Sequence, residues 1–347
     1  MKKWFALLLT SSLLGLAACS KDSPTNSDAE QQAQVEANKV VVYSSRAEHL
    51  IKPLFDKFTA ETGIEVRFQT GNANALIERL RAEGSNTPAD ILMTVDAGNL
   101  WYAADQGLLQ QLNSPIIEKN IPAHLRDPDQ LWTGLSVRAR TFVYHSDKID
   151  PAQLTTYEDL ADPKWKGRLC LRTSASVYNK SLVAALMHHH GEAKAAEVIT
   201  GWVNNLATKP TARDVHVMDA ILAGQCDVGL VNTYYYGRLE ADNPNTPLKL
   251  AWANQESTGT HINISGAGIV KHASQPNNAR SLIEWLSAEK AQQTFGALNR
   301  EYPANPSIDN DALVAAWGEF KQDQLNLRQV GVLQQAATML INRVGYE

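Results

Sequence analysis

The segment Asn232-Thr233-Tyr234-Tyr235-Tyr236-Gly237-Arg238 is the part of this chain best suited to bind something. Three consecutive tyrosines on a regular helix point about 100° apart and do not converge. The segment directly follows an apolar run, Asp227 to Val231, which reads as a buried strand. At a strand-to-helix junction, two neighbouring phenols are free to aim into one cleft. Aromatic packing with the phenol tips in water is the competing reading for the same residues.

Arginines stand at similar positions. Arg46 follows the first strand at its carboxyl end, and Arg138 and Arg140 alternate so that both fall on one strand face. A guanidinium presents a planar fork that matches a bidentate oxyanion, whereas a plain surface strand would carry the same pattern. His188-His189-His190 ends a helix, where consecutive side chains diverge and histidine suits the helix dipole. Asp96 follows a strand and reads as a helix cap or an acceptor behind the cleft. No Cys/His spacing resembles a zinc site, and no glycine-rich phosphate loop occurs. ATP hydrolysis would therefore belong to a partner.

These residues must be positioned by an alternating α/β framework. Val40 to Tyr43 is an apolar strand, and His49 to Thr62 carries Leu50, Ile51, Leu54, Phe55 and Phe58 at helical spacing, with Gly63 as a C-cap. Ile64, Val66 and Phe68 alternate. A helix over Asn74 to Glu83, a strand over Ala89 to Val95 and a helix over Asn99 to Gln106 follow. The alternation returns with a strand at Arg138 to Tyr144, a capping box at Thr155-x-x-Glu158 and a strand at Gly167 to Arg172. Helices over Tyr178 to His190, Glu192 to Leu206 and Val215 to Ala223 come next, then a strand over Ile262 to Val270. Helical patterns fill most of Asn277 to Tyr346. The expected fold class is α/β with two lobes: 39–137 with 261–310, and 138–260 with 311–347. Ligands of such sheets sit beyond the strands' carboxyl ends, here in the cleft between lobes.

The N-terminus predicts export. Lys2 and Lys3 precede an almost uncharged stretch to Ala18, too short to span a bilayer comfortably. Residues 1–18 read as a signal peptide ending at Leu16-Ala17-Ala18-Cys19, which makes Cys19 the lipidation site. The polar tract 19–38 reads as a flexible tether to the membrane, whose anchoring requires more than one acyl chain. Without Lys2 and Lys3 the chain has 30 basic and 37 acidic residues, a net −7 that argues against nucleic acid as a partner. Cys170 and Cys226 remain as an even pair for an oxidising compartment, either bonded or as two buried thiols.

Several stretches resemble the periplasmic ferric-iron-binding proteins that feed bacterial ABC importers, in particular the subgroup that includes cyanobacterial iron-uptake proteins. They are Val42-Tyr43-Ser44-Ser45-Arg46, Phe58 to Ile64, Pro88-Ala89-Asp90-Ile91-Leu92, Asp162 to Arg168, Asn232-Thr233-Tyr234-Tyr235, Ser265-Gly266-Ala267-Gly268 and Glu301-Tyr302-Pro303. The resemblance implies the two-lobed type II periplasmic-binding fold, no enzymatic activity, and Fe(3+) as cargo, delivered to a permease and ATPase by a monomer. It also implies Tyr178, Tyr234 and Tyr235 as metal ligands, with Arg138 and Arg238 near the iron. The family histidine and tyrosine of the first lobe are replaced here by Ala47 and Glu48, with His49 next. Glu48 is either an additional oxygen ligand or the solvated first turn of a helix. Carbonate or another synergistic anion, held by Arg138, Arg46 or Arg238, would fill the gap. A second reading keeps the fold but takes an organic solute such as a polyamine, thiamine or a phosphonate, with Trp101, Trp132 and Trp252 as candidate walls.

Overall fold

The computed structural model describes residues 38–347; the expected signal peptide, Cys19 and nearly all of the tether lie outside the described residues. The chain opens as β1 (Lys39–Ser44), α1 (Glu48–Thr62), β2 (Glu65–Thr70), α2 (Ala73–Glu83), β3 (Ile91–Thr94) and α3 (Ala97–Asp105). β1 lies between β2 and β3, parallel to both, as right-handed strand–helix–strand units require. Local chemistry sets the boundaries. Gly63 ends α1 at φ 73°, a left-handed value that favours glycine. The Asn72 side chain caps α2 by accepting from Asn74 and Ala75, and Asp96 caps α3 by accepting from Gly98.

After β4 (Leu109–Gln110) and α4 (Pro115–Asn120) comes β5 (Thr133–His145), the strand that organises the molecule. Its first half pairs with β9 (Ile262–Val270) and β10 (Tyr302–Pro303). Its second half pairs with β7 (Val228–Asn232) and β8 (Leu248–Ala251), and β7 in turn pairs with β6 (Leu169–Cys170). One strand thus belongs to two sheets and changes partner between Ala139 and Arg140. Thr133 to Tyr144 are all buried, because helices cover both faces.

The expected strand over Arg138 to Tyr144 is therefore too short. Gly134 and Ser136 mask the pattern of its first half. Other expectations also change. Glu158 does not cap a helix from Thr155; Thr156 accepts from the Asp159 N–H, and Glu158 is taken by Asn254 and His190. The Gly167 to Arg172 strand shrinks to β6. The two helices expected on either side of Gly191 are both present, over 177–190 and 192–205, parted at Gly191 with φ 79°; together they are labelled α5 (Val177–Asn205).

The remaining helices are α6 (Asp214–Leu222), α7 (Thr233–Asp242), α8 (Pro276–Ser287), α9 (Glu289–Asn299), α10 (Ala312–Ala315) and α11 (Leu327–Arg343). Residues between α9 and α11 are mostly irregular, so the helical pattern after Asn277 is interrupted. α11 packs against both α5 and α3, beside different sheets. Where β5 changes partner, the ladder to β9 ends. There the Tyr157 hydroxyl donates to the Arg140 carbonyl (2.5 Å) and accepts from the His261 N–H (3.0 Å). A third passage joins at the same level, where the Asp323 N–H donates to the Thr260 carbonyl. Cys170 and Cys226 are disulfide-bonded, in a small core shared by Val217, Ile221, Val231 and Tyr236.

Candidate metal centre

β7 delivers Asn232 into the first turn of α7, and the three tyrosines then part. Tyr236 turns into the core, where its hydroxyl lies 2.9 Å from the Glu240 carboxylate and 3.1 Å from the Leu248 carbonyl, two acceptors for its one proton. Tyr234 and Tyr235 stay together with ring centroids 4.4 Å apart and planes at 39°. Tyr178 comes from another element, the second residue of α5, whose start is fixed by the Ser176 side chain accepting from the Tyr178 N–H. Tyr234 and Tyr178 lie close enough for each phenol to shift the other's titration, and the Tyr234 hydroxyl accepts from the Asn232 side-chain N–H (3.3 Å). All three phenols line one pocket of about 210 Å³. Facing them are Ser45, Arg46, Ala47 and His49 from the β1–α1 corner.

Cations surround the phenols. The Arg138 guanidinium lies 5.0 Å from the Tyr178 ring centroid and Arg238 lies 5.3 Å from that of Tyr234. Arg138 is buried and paired with Asp96 at 3.8 Å, and it donates to the Val95 carbonyl. Arg46 is committed elsewhere: it is buried against Glu301 (2.9 Å), Ser265 and Ser136, and walls the pocket. Arg140 shares a face with Arg138 but stands behind the tyrosine pair, bonded to Asp214 (3.0 Å) and the Asn232 side chain (3.2 Å). Neither Arg138 nor Arg140 is a surface strand residue, since the sheet is covered on both faces.

Burial pushes the Tyr178 phenol above its ordinary value, with Arg138 and Arg172 opposing and the Tyr235 hydroxyl reinforcing that shift. Tyr234 is pushed well up by burial and by the two neighbouring phenols. Without a cation, both phenols therefore keep their protons at neutral pH. A strong Lewis acid that displaces those protons fits this donor set.

Glu48 is exposed in the first turn of α1 and does not line the pocket, whereas His49 does. The histidine run is engaged away from the phenols, His189 with Asp323 (2.8 Å) and His190 with Glu158 (2.5 Å). Trp252 stacks on Phe320 and Trp132 is buried core, so neither walls the pocket; Trp101 lines a neighbouring cleft. Among the described residues, no group of three His, Cys, Asp or Glu is placed to hold a metal.

The model of bacterial extracellular solute-binding proteins matches residues 43–293. The chain belongs to that family. Iron uptake protein A1 of Synechocystis is 40% identical over 99% of this chain and 96% of its own length. The Fe(3+)-binding periplasmic protein of Serratia marcescens is 30% identical over 75% and 77%. A Trichodesmium protein (FutA, or IdiA) solved with iron and citrate superposes with a TM-score of 0.86. It shares 40% identity over 89% of this chain and all of its own. The fold is the type II periplasmic-binding architecture of these neighbours.

Two residues of this solute-binding protein escaped the sequence reading. Arg172 lies 5.1 Å from the Tyr178 ring centroid and close to the Tyr235 hydroxyl. Asp214, fully buried, accepts from Arg140 and the Asn232 N–H (3.0 Å), which fixes the end of β7 two residues before Tyr234. Neither position has a local pattern that marks it. Only the β6–β7 pairing and the start of α6 bring them behind the phenols.

Proposed function

We propose that this protein captures ferric iron and hands it to the permease of an ATP-driven importer, acting as a carrier and not as a catalyst. The observation that carries this reading is the meeting of Tyr178 with Tyr234 and Tyr235 in one arginine-flanked pocket. Ferric iron is hard and trivalent; three phenolate oxygens match both its preference and its charge. The relatives' names support the same cargo. Arg138 and Arg238 stabilise the phenolates and any oxyanion, such as carbonate, that completes the shell opposite Ala47. Arg46 serves as a rigid wall. Glu48 remains outside the shell.

In this reading the metal lies between two lobes, 39–137 with 261–310 and 138–260 with 311–347. The lobes close over it by bending where β5 changes partner. The protein works as a monomer in the periplasm, tethered through lipid on Cys19, and the permease and ATPase belong to other chains.

The purified protein given ferric iron in bicarbonate should turn orange-red from phenolate-to-iron charge transfer. Tyr235→Phe and Tyr178→Phe should each weaken retention by at least about 100-fold, since even partners behind a ligand are worth 10–100-fold. A parent protein that stays colourless, or a Tyr235→Phe protein that holds iron as well as the parent, would end the proposal.

A further inference from the structure

A second cavity, of about 530 Å³, lies on the reverse face of the β5–β10 pair. Val137 and Tyr302, which pair across the two strands, both line it, whereas their neighbours Arg138 and Glu301 line the phenol pocket. Successive residues of a strand face opposite sides, so the two strands separate the two spaces. Another wall is the passage 318–324. It is held in place by the Thr260 N–H, which donates to the Lys321 carbonyl (2.8 Å), and by the Asp323 N–H, which donates to the Thr260 carbonyl (2.9 Å). Within that passage Phe320 stacks on Trp252 with ring centroids 4.2 Å apart and meets Tyr302 edge-on at 5.3 Å. Pro122, Pro303 and Pro306 stiffen the rest of the lining. A space of this size with fixed walls suits a small organic ligand.

Charge narrows the ligand. Glu319 brings a carboxylate to the lining, and among the described residues no lysine or arginine lines the cavity. Lys321, the nearest cation along the chain, donates instead to the Ser257 carbonyl. An anion would meet a like charge here, whereas a cation meets a carboxylate and the ring faces of Tyr302 and Phe320. Two polar atoms of the lining residues, the Tyr302 hydroxyl and His124 Nε2, find no partner within the protein. Such atoms are costly to bury unpaired. Burial pushes the His124 imidazole down, with Asp323 opposing, and pushes the Tyr302 phenol well up. At neutral pH the imidazole is therefore uncharged and keeps one accepting nitrogen, and the phenol is a hydroxyl whose oxygen can accept.

We propose that this cavity is a second binding site, separate from the phenol pocket, for a small primary ammonium compound with an apolar body. The three N–H donors of the ammonium match three acceptors: the Glu319 carboxylate, the Tyr302 oxygen and the His124 ring nitrogen. The apolar body lies against Phe320 and the prolines.

Phenethylamine is a suitable probe, with phenethyl alcohol and hydrocinnamate as neutral and anionic counterparts of similar skeleton. Their binding to the full mature protein, free of metal, is measured by calorimetry at neutral pH. We expect one amine bound per chain, the alcohol held about tenfold more weakly, as the loss of charge-assisted hydrogen bonds implies, and no binding of hydrocinnamate. Glu319→Gln, at an exposed position, should weaken the amine about two- to fivefold. Tyr302→Phe removes only an oxygen without a partner in the protein. It should weaken the amine about tenfold while the melting temperature without ligand does not fall. Tyr235→Phe should bind the amine as the parent does. The inference is overturned by phenethylamine that fails to bind saturably, or by hydrocinnamate that binds equally well. Amine held as tightly by Glu319→Gln and Tyr302→Phe as by the parent would also overturn it, as would amine lost in Tyr235→Phe, which would place it among the phenols. None of these outcomes bears on the iron reading, which the charge-transfer band decides separately.

Discussion

At the scale of single residues, the site is a set of ionisable groups whose ordinary behaviour is suppressed by burial. His261 shows this most sharply. It is buried among Arg138, Arg140 and His189, and burial, reinforced by those charges, pushes its imidazole down to about 3. Its value in the unfolded chain is near 6.5. Between those values the unfolded chain binds more protons than the folded one. The stability this group contributes is thus complete above pH 6.5 and drains as pH falls toward 3, by about 1.4 kcal/mol per pH unit at most. Denaturant midpoints measured from pH 7 to pH 4 should fall more steeply for the parent than for His261→Gln; parallel curves would show that His261 does not titrate this way. The tyrosine pair was legible at this scale because Tyr-Tyr after a buried strand is a local pattern. Arg172 was not, because an arginine after a two-residue strand looks like any surface arginine until Tyr178 and Tyr235 are brought to it by the fold.

At the scale of elements, α7 is the piece that aims the two adjacent tyrosines proposed to hold the metal, and its seating depends on a missing side chain. A Cβ at Gly237 would lie 2.8 Å from the Trp317 ring and 2.9 Å from the Arg300 Cβ. Gly237→Val should therefore cost about 1–3 kcal/mol through overpacking. It should also weaken iron retention by tilting the tyrosine pair, read by thermal melts and by the charge-transfer band; a variant equal to the parent in both would contradict this seating. Helix and strand periodicity found most elements, β9 to the residue and α1 to within one. It failed where partners outweigh pattern. The first half of β5 is strand because β9 and β10 flank it, although Gly134 and Ser136 carry no alternation. Thr155 and Glu158 match a capping box in type, but Asn254 and His190 compete for Glu158 and win.

At the scale of the whole molecule, two sheets are joined through one strand, and only the second carries a covalent brace. Cys170 and Cys226 are 56 residues apart and close a loop holding α5, α6 and the approach to β7. Closing a loop of that length stabilises a chain by about 4 kcal/mol in the chain-entropy treatment. Reduction should thus lower the denaturant midpoint, and the loss of signal from α7 should precede that from β1–α1. A single transition unmoved by reductant would refute it. The number and kind of layers were legible from the strand–helix alternation, whereas the sharing of β5 was not, since no run of residues announces that a strand will change partners midway.

The Tyr157 hydroxyl bridging Arg140 and His261 has a consequence in time as well as in space. Where β5 and β9 separate, one direct backbone bond remains, from the Arg140 N–H to the His261 carbonyl. Its companion runs through a phenol that swivels about its own side chain. Such a joint resists stretching but yields to torsion, so the two sheets would turn about an axis passing near that oxygen. Deuterium should consequently enter the His261 amide faster than its buried ladder neighbours at Asn263 to Ile269, and a captured ligand that stills the joint should slow it. The rate at that one amide would then report how often the molecule opens.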